Sequence, residues 1–347
     1  GSTVERQLAM ASSSGSSYET VIPADDVTMN GVVYTITALD NRYNTAKSGP
    51  HSVSITFSSG ELTSVMSGAA LSGGLEMDSW QMFSIPTHID ENDPQEVLKD
   101  EIGKRTKKRW ELWQWLDDKW KFPDEIEPGK GYWLIQWVKS SMTINPGSGK
   151  TVDHTGFTFN VQPGWNMIGN PYPFTVTLNL DESKFYGPIS YNQGWSSTVQ
   201  QIQPWGGYAV YNKGAAPETV TLNPTETDSG LARNNVTLSD GWKLNMAAYG
   251  ETYFDPDNAI GRLSGSSEEL DYRDNPEPPY LGGHVSLVMH RKEWNTGILH
   301  FTSDIRSLEE TEGVWDVELR VIKETSPVTL SFNMEGDFPG DHSIVLL

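Results

Sequence analysis

Six tryptophans crowd one stretch of the chain: Trp110, Trp113, Trp115, Trp120, Trp133 and Trp137. Indole rings laid flat and exposed on a strand can stack on sugar rings. On an extended backbone Trp113 and Trp115 share one face, as do Trp133 and Trp137. Trp113, Trp115 and Trp120 are therefore the candidate glycan-stacking residues, with Trp115 and Trp120 expected to be the exposed pair. The competing use of such rings is a packed core or cross-strand pairing. That use carries more weight, because Trp165 and Trp242 recur at equivalent positions further along. Exposed and coplanar rings at Trp115 and Trp120 would decide for sugar.

A second set is acidic: Asp255, Asp257, Asn258, Asp271 and Asp274. Gathered in space, these could hold Ca²⁺, a hard cation that takes six to eight oxygen ligands. The spacing is not that of an EF-hand loop, and Asp and Asn are also the residues of turns and caps. A bound Ca²⁺ would suit an extracellular domain without disulfides, and it is the one cofactor the residues suggest.

Other chemistry finds less support. Cysteine is absent, which excludes thiol catalysis, thiolate metal sites and disulfides. There is no Gly-x-Ser-x-Gly elbow and no His-Glu-x-x-His. His284 and His290 alternate onto one strand face and read as half-exposed packing residues. A carboxylate pair of glycosidase type stays open; its mark would be a cleft with two acidic groups of raised pKa. Asp117-Asp118 reads as a turn, so no residue is assigned a catalytic role. The basic run Lys104–Arg109 reads as cations answering a helix C-terminus, and Asn235-Val236-Thr237 matches a glycosylation sequon.

The formal charge of −21, from 46 acidic and 25 basic residues, argues against a nucleic-acid partner, which needs positive charge facing phosphate. It favours a solvated acidic surface. No run of about 18 apolar residues exists to span a membrane as a helix. Gly1-Ser2 reads as a cloning remnant, so the chain is expected to be a fragment.

The elements that must position these side chains are strands. Gly (32) and Pro (20) are plentiful, as suits short strands joined by tight turns. Val32–Ala38 and His51–Phe57 alternate apolar and polar residues. The run Asp93–Gly103 predicts one short helix, with Asp93 as N-cap, Pro94 at N1 and Gly103 as the stop, turning Val97, Leu98 and Ile102 inward. Trp110–Trp120 predicts a hairpin with Asp117-Asp118 at its turn. Further strands are predicted at Val314–Val321, Val328–Phe332 and Ile344–Leu347. Because the chain ends inside the last of these, more chain is expected to follow.

One strand recurs. Gly164-Trp165-Asn166-Met167-Ile168-Gly169-Asn170-Pro171 is echoed by Trp80–Pro86 and Gly241–Met246, at intervals of about 80 residues. A second anchor, Pro128-Gly129-Lys130-Gly131-Tyr132-Trp133, returns as Pro204-Trp205-Gly206-Gly207-Tyr208. Met142–Pro146 and Val220–Pro224 then close both repeats. The fold class expected is all-β: tandem β-sandwich-like units with one short helix.

These residues resemble repeats of secreted bacterial proteins that sit upstream of a C-terminal type IX secretion sorting domain. The resemblance rests on the Gly-Trp-Asn-x-Ile-Gly-Asn-Pro strand, the Leu98…Trp110-Glu111-Leu112 run and the two Gly-rich turns. The segment from Asp257-Asn258 to Glu277-Pro278-Pro279 adds to it. Tyr18–Pro23 with Tyr34–Asn41 resembles the closing half of a fibronectin type III or Ig-like domain, which needs about seven strands and roughly 100 residues. The divisions expected are a partial fibronectin type III/Ig-like module over 1–58 and a Ser/Gly-rich connector over 59–76. β repeat one then covers 77–150, β repeat two 151–224, and a divergent third unit 225–347.

The likeness implies an extracellular or cell-surface location and an accessory, spacer or adhesion role beside neighbouring domains of a larger exported protein. It implies no reaction. A carbohydrate-binding array, with a polysaccharide or cell-surface component as partner, is the alternative, and a carboxylate hydrolase the third.

Overall fold

The computed structural model describes residues 6–63, 66, 69–224, 240–294, 298–310 and 312–345. Strands dominate them, mostly antiparallel, with one α-helix at Pro94–Ile102. The chain is all-β. That helix forms for the reasons its sequence gives: Asp93 accepts from the N–H groups of Gln95 (2.7 Å) and Glu96 (3.2 Å), and Gly103 ends it at φ 70°. Val97, Leu98 and Ile102 are buried beneath it.

The first unit has a four-stranded sheet in the order Lys119–Lys121, Trp110–Leu116, Tyr132–Gln136, Gln81–Phe83. The hairpin turns at Asp117 (φ 51°) and Asp118 (φ 55°), the left-handed pair a two-residue turn demands. In the second unit Gly164–Gly169, Gly207–Asn212 and Phe185–Ile189 repeat the arrangement of the last three of these strands, reversed in order of listing but matched in pairing. Gly194-Trp195 stands after Phe185–Ile189, where one bridge, Tyr191 to Trp195, closes a tighter return than the first unit's hairpin.

The two repeats meet as the halves of an isologous dimer do. The turn of the first lies on the strand of the second: Gly131 N–H donates to Met167 O, and Gly169 N–H to Gly129 O. The turn of the second lies on the strand of the first: Ser84 N–H donates to Trp205 O, and its Oγ to Gly206 O. Backbones approach closely because the residues there are glycines. A Cβ on Gly169 would stand 2.2 Å from Ser84 Cβ, and one on Gly131 would stand 2.6 Å from Ile168 O. Trp205 crosses over to be buried in the first unit's core.

The described residues of 59–76 contribute apolar side chains to the first unit. Leu62, Met66, Ala69, Leu71 and Leu75 are buried in the first core beside Leu98, Trp110 and Ile144. The N-terminal segment forms two hairpins, Ala11–Ser14 with Ser17–Glu19 and Val32–Leu39 with Thr45–Val53. Their side chains are nearly all exposed, and among the described residues no second sheet covers them. The segment meets the first unit where Thr56–Phe57 pairs with Gly149–Lys150 and where Ser52 Oγ accepts from His154 N–H.

The third unit is a two-sheet sandwich. Ser303–Ser307, Phe254–Leu263, Gly241–Tyr249 and Thr329–Gly336 form one sheet; His300–Phe301, His284–His290 and Val317–Ile322 form the other. Trp242, Leu244, Met246, Val285, Leu287 and Phe301 fill the space between. Phe254–Leu263 is a central strand, so Asp255 and Asp257 lie within a sheet and not on a surface loop. Its ladder slips opposite Pro256 and Asp257, between Met246 and Ala248, where proline offers no N–H. Buried Asp304 is gripped by Arg291 and Arg306, whose neighbour Trp315 donates its Nε1–H to Asp304 O. Ile344 and Val345 are exposed and form no strand; Leu346, Leu347 and the sequon Asn235–Thr237 lie outside the described residues.

Candidate functional site

Trp113, Trp115, Trp120 and Trp133 build a seam and not a platform, while Trp110 is buried in the first unit's core. Met82, Trp133, Met167, Tyr186, Ile189, Tyr191, Trp195 and Ala209 form one buried cluster drawn from both repeats. Trp133 is fully buried at its centre. Around it lie Trp120 (5.7 Å, 73° between planes), Tyr191 (4.6 Å) and Trp195 (5.6 Å, 69°). Trp115 and Trp120 face each other across the hairpin at 4.8 Å and 71°, edge to face. Both are half-buried, as is Trp113, over which the Arg105 guanidinium lies. The coplanar row that sugar stacking needs is not formed by Trp115 and Trp120. Edge-to-face pairs of this kind add about 0.5–1.5 kcal/mol each beyond the area they bury. Trp137 stands apart, donating its Nε1–H to Asp78 at 2.7 Å.

The seam continues into the third unit. Tyr280 packs on Tyr191 (6.4 Å) and Trp195 (6.3 Å), and Trp165 Nε1–H donates to Glu277 O at 3.1 Å. Phe254 N–H donates to Gln193 O. Three units thus share one aromatic joint.

The acidic residues do not converge on a common point. Asp255 is buried and accepts from Leu287 N–H at 2.7 Å, pinning one sheet of the third unit to the other. Burial pushes its carboxyl up to about 6. Asn258 lies beside it, yet neither amide atom meets a partner at hydrogen-bond geometry. Asp274 accepts from the N–H groups of Asp271 (2.8 Å) and Ile305 (2.9 Å), and burial pushes it up to about 7. Asp271 accepts from Ser267 and Arg273 N–H. These oxygens brace backbone, the ordinary work of Asp in turns. Among the described residues no three His, Cys, Asp or Glu side chains gather as metal ligands.

One carboxyl outside that set is placed differently. Glu277 Oε1 accepts from Ser286 Oγ at 2.6 Å, while Oε2 is buried and completes no hydrogen bond, with the Tyr280 side chain nearby. Burial, and then the charge of Asp255, push Glu277 well above the ordinary carboxylate range. Glu277 lines two adjoining cavities. The outer, about 340 Å³, is also lined by Tyr280, His284, Ser286, His300 and Arg320. The inner, about 10 Å³, is walled by Tyr186, Trp195, Asp255, Asp257 and Thr302, among others, and is close to the least space that holds one water.

Two acidic groups of raised pKa therefore stand near one cleft, the mark set for carboxylate chemistry. Their placement is unequal, however. Asp255 lies on the inner space and is committed to Leu287 N–H, so Glu277 is the one carboxyl lining the outer cavity. A hydrolytic pair needs both groups flanking the scissile bond. Sequence reading missed Glu277 because Pro276-Glu277-Pro278-Pro279 looks like a connector. The signal available was the neighbouring strand His284–His290, whose His284 and Ser286 alternate onto one face. No family model, no curated protein and no solved structure matches this chain.

Proposed function

We propose that this chain is a non-catalytic accessory region of a secreted or cell-surface bacterial protein, holding neighbouring domains at a fixed separation. One observation carries the reading: the aromatic joint around Trp133 fuses the two repeats and the third unit through buried rings. A joint of this kind removes the relative motion expected of units connected by small polar contacts. The resemblance of the repeats to exported bacterial proteins supports the location, and the −21 charge supports a solvated exterior.

The absence of cysteine makes a direct test simple. Spin labels are attached at Lys108→Cys in the first unit and Thr329→Cys in the third, both exposed positions. The distance between labels, read by pulsed electron resonance, is expected to be a single narrow distribution. A broad or multimodal distribution overturns the spacer reading.

A further inference from the structure

The outer cavity beside Glu277 opens next to the aromatic joint and shares Glu277 and Tyr280 with it. Its volume of about 340 Å³ falls at the lower end of small-molecule sites, roughly 300–1,000 Å³. Three features describe what would fill it. The floor offers hydroxyl-binding groups: Ser286 Oγ donates to Glu277 Oε1, and the buried Oε2 has no partner. A buried carboxyl oxygen left unpaired, as acceptor or as O–H donor, is a standing demand for a hydrogen bond. The wall holds two parallel rings, Tyr280 stacked on His284 at 4.2 Å and 17°. The rim holds Arg320, which donates to His300 Nε2 at 2.6 Å and to Glu318.

The charge of this lining decides the ligand class. Glu318 neutralises Arg320 from outside. Burial, with Arg320 close by, holds His284 and His300 below the usual imidazole range, and burial pushes the Glu277 carboxyl well above its ordinary range. An anion would need an unpaired cation here, and a cation would need an ionised carboxylate. Donors and acceptors beside two flat rings, with Arg320 paired to Glu318, complement an uncharged ring bearing several hydroxyls.

We propose that this cavity binds a neutral sugar residue of a polysaccharide, with Glu277, Ser286 and Tyr280 taking its hydroxyls and His284, His300 and Arg320 contacting the rest of the ring. The site is distinct from the Trp113, Trp115 and Trp120 surface, and it would give the proposed spacer an adhesive function of its own.

The test is affinity electrophoresis of the full chain through gels containing a soluble β-glucan, a xylan, a galactomannan or polygalacturonate. Retardation by at least one neutral polysaccharide is expected, with polygalacturonate retarding less. Arg320→Ala is expected to weaken the retardation at least tenfold, and Trp113→Ala to leave it within twofold. Should Arg320→Ala lose its native circular dichroism, His300→Ala, on a two-residue strand, carries the same test. The proposal is overturned if no neutral polysaccharide retards the chain, if polygalacturonate retards it most, or if Trp113→Ala abolishes retardation that the rim variants keep. None of these outcomes bears on the label distance that tests the spacer reading.

Discussion

Two sets of carboxyls in this chain make opposite demands on pH. Asp255, pushed up to about 6, and Asp274 and Glu101, each pushed up to about 7, are raised chiefly by burial. Each binds its proton more tightly folded than unfolded. Their contribution is therefore complete below the unfolded value near 4 and is lost as pH rises through about 6 to 7. Glu324 is the reverse: hydrogen bonds from the N–H groups of Ser326, Thr252 and Tyr253 pull it down to about 2. Its contribution is present at neutral pH and is lost as pH falls toward 2. The thermal midpoint should consequently rise by roughly 3–8 °C from pH 8 to pH 5 and fall again below about pH 4. The scan belongs in about 0.5 M salt, which screens the net surface charge. A midpoint that climbs steadily from pH 5 to pH 8 would contradict the assignment.

At this scale the sequence was a partial guide. The acidic candidates were visible as residue types, but what each oxygen accepts depends on distant backbone, such as Leu287 for Asp255 and Ile305 for Asp274. Glu277 was invisible for the same reason, since its burial comes from strands and units remote in sequence.

Elements governed by local chemistry were legible: the helix from its Asp-Pro start and Gly stop, and the hairpin from Asp117-Asp118. Within 59–76 the Ser and Gly content hid five apolar side chains, Leu62, Met66, Ala69, Leu71 and Leu75, that complete the first core. The meaning of the repeated glycines was also out of reach, because it lies between repeats and not within one. The contact they permit gives a sharp prediction. Gly169→Ala places a Cβ 2.2 Å from Ser84 Cβ and 2.7 Å from Lys130 O, and should destabilise by about 1–3 kcal/mol through overpacking. Gly73→Ala meets nothing within 4 Å and should stay within about 0.5 kcal/mol of the parent. Urea unfolding of both variants checks this, and equal effects would remove the close approach from the account.

For the whole molecule the aromatic joint is the central claim. Trp133 touches rings of the second unit, and Tyr191 and Trp195 in turn touch Tyr280 of the third. Units joined by a shared buried core should unfold together, whereas beads on a string would melt one by one. Truncating a fully buried Trp to Ala costs about 3–5 kcal/mol, and here the loss falls on the joint and not within a single unit. Scanning calorimetry of the full chain beside Trp133→Ala is the most direct measurement. The account predicts one dominant transition for the parent, with calorimetric and van't Hoff enthalpies in agreement, and its division into separate transitions in Trp133→Ala. Separate transitions in the parent, left in place by Trp133→Ala, would contradict it.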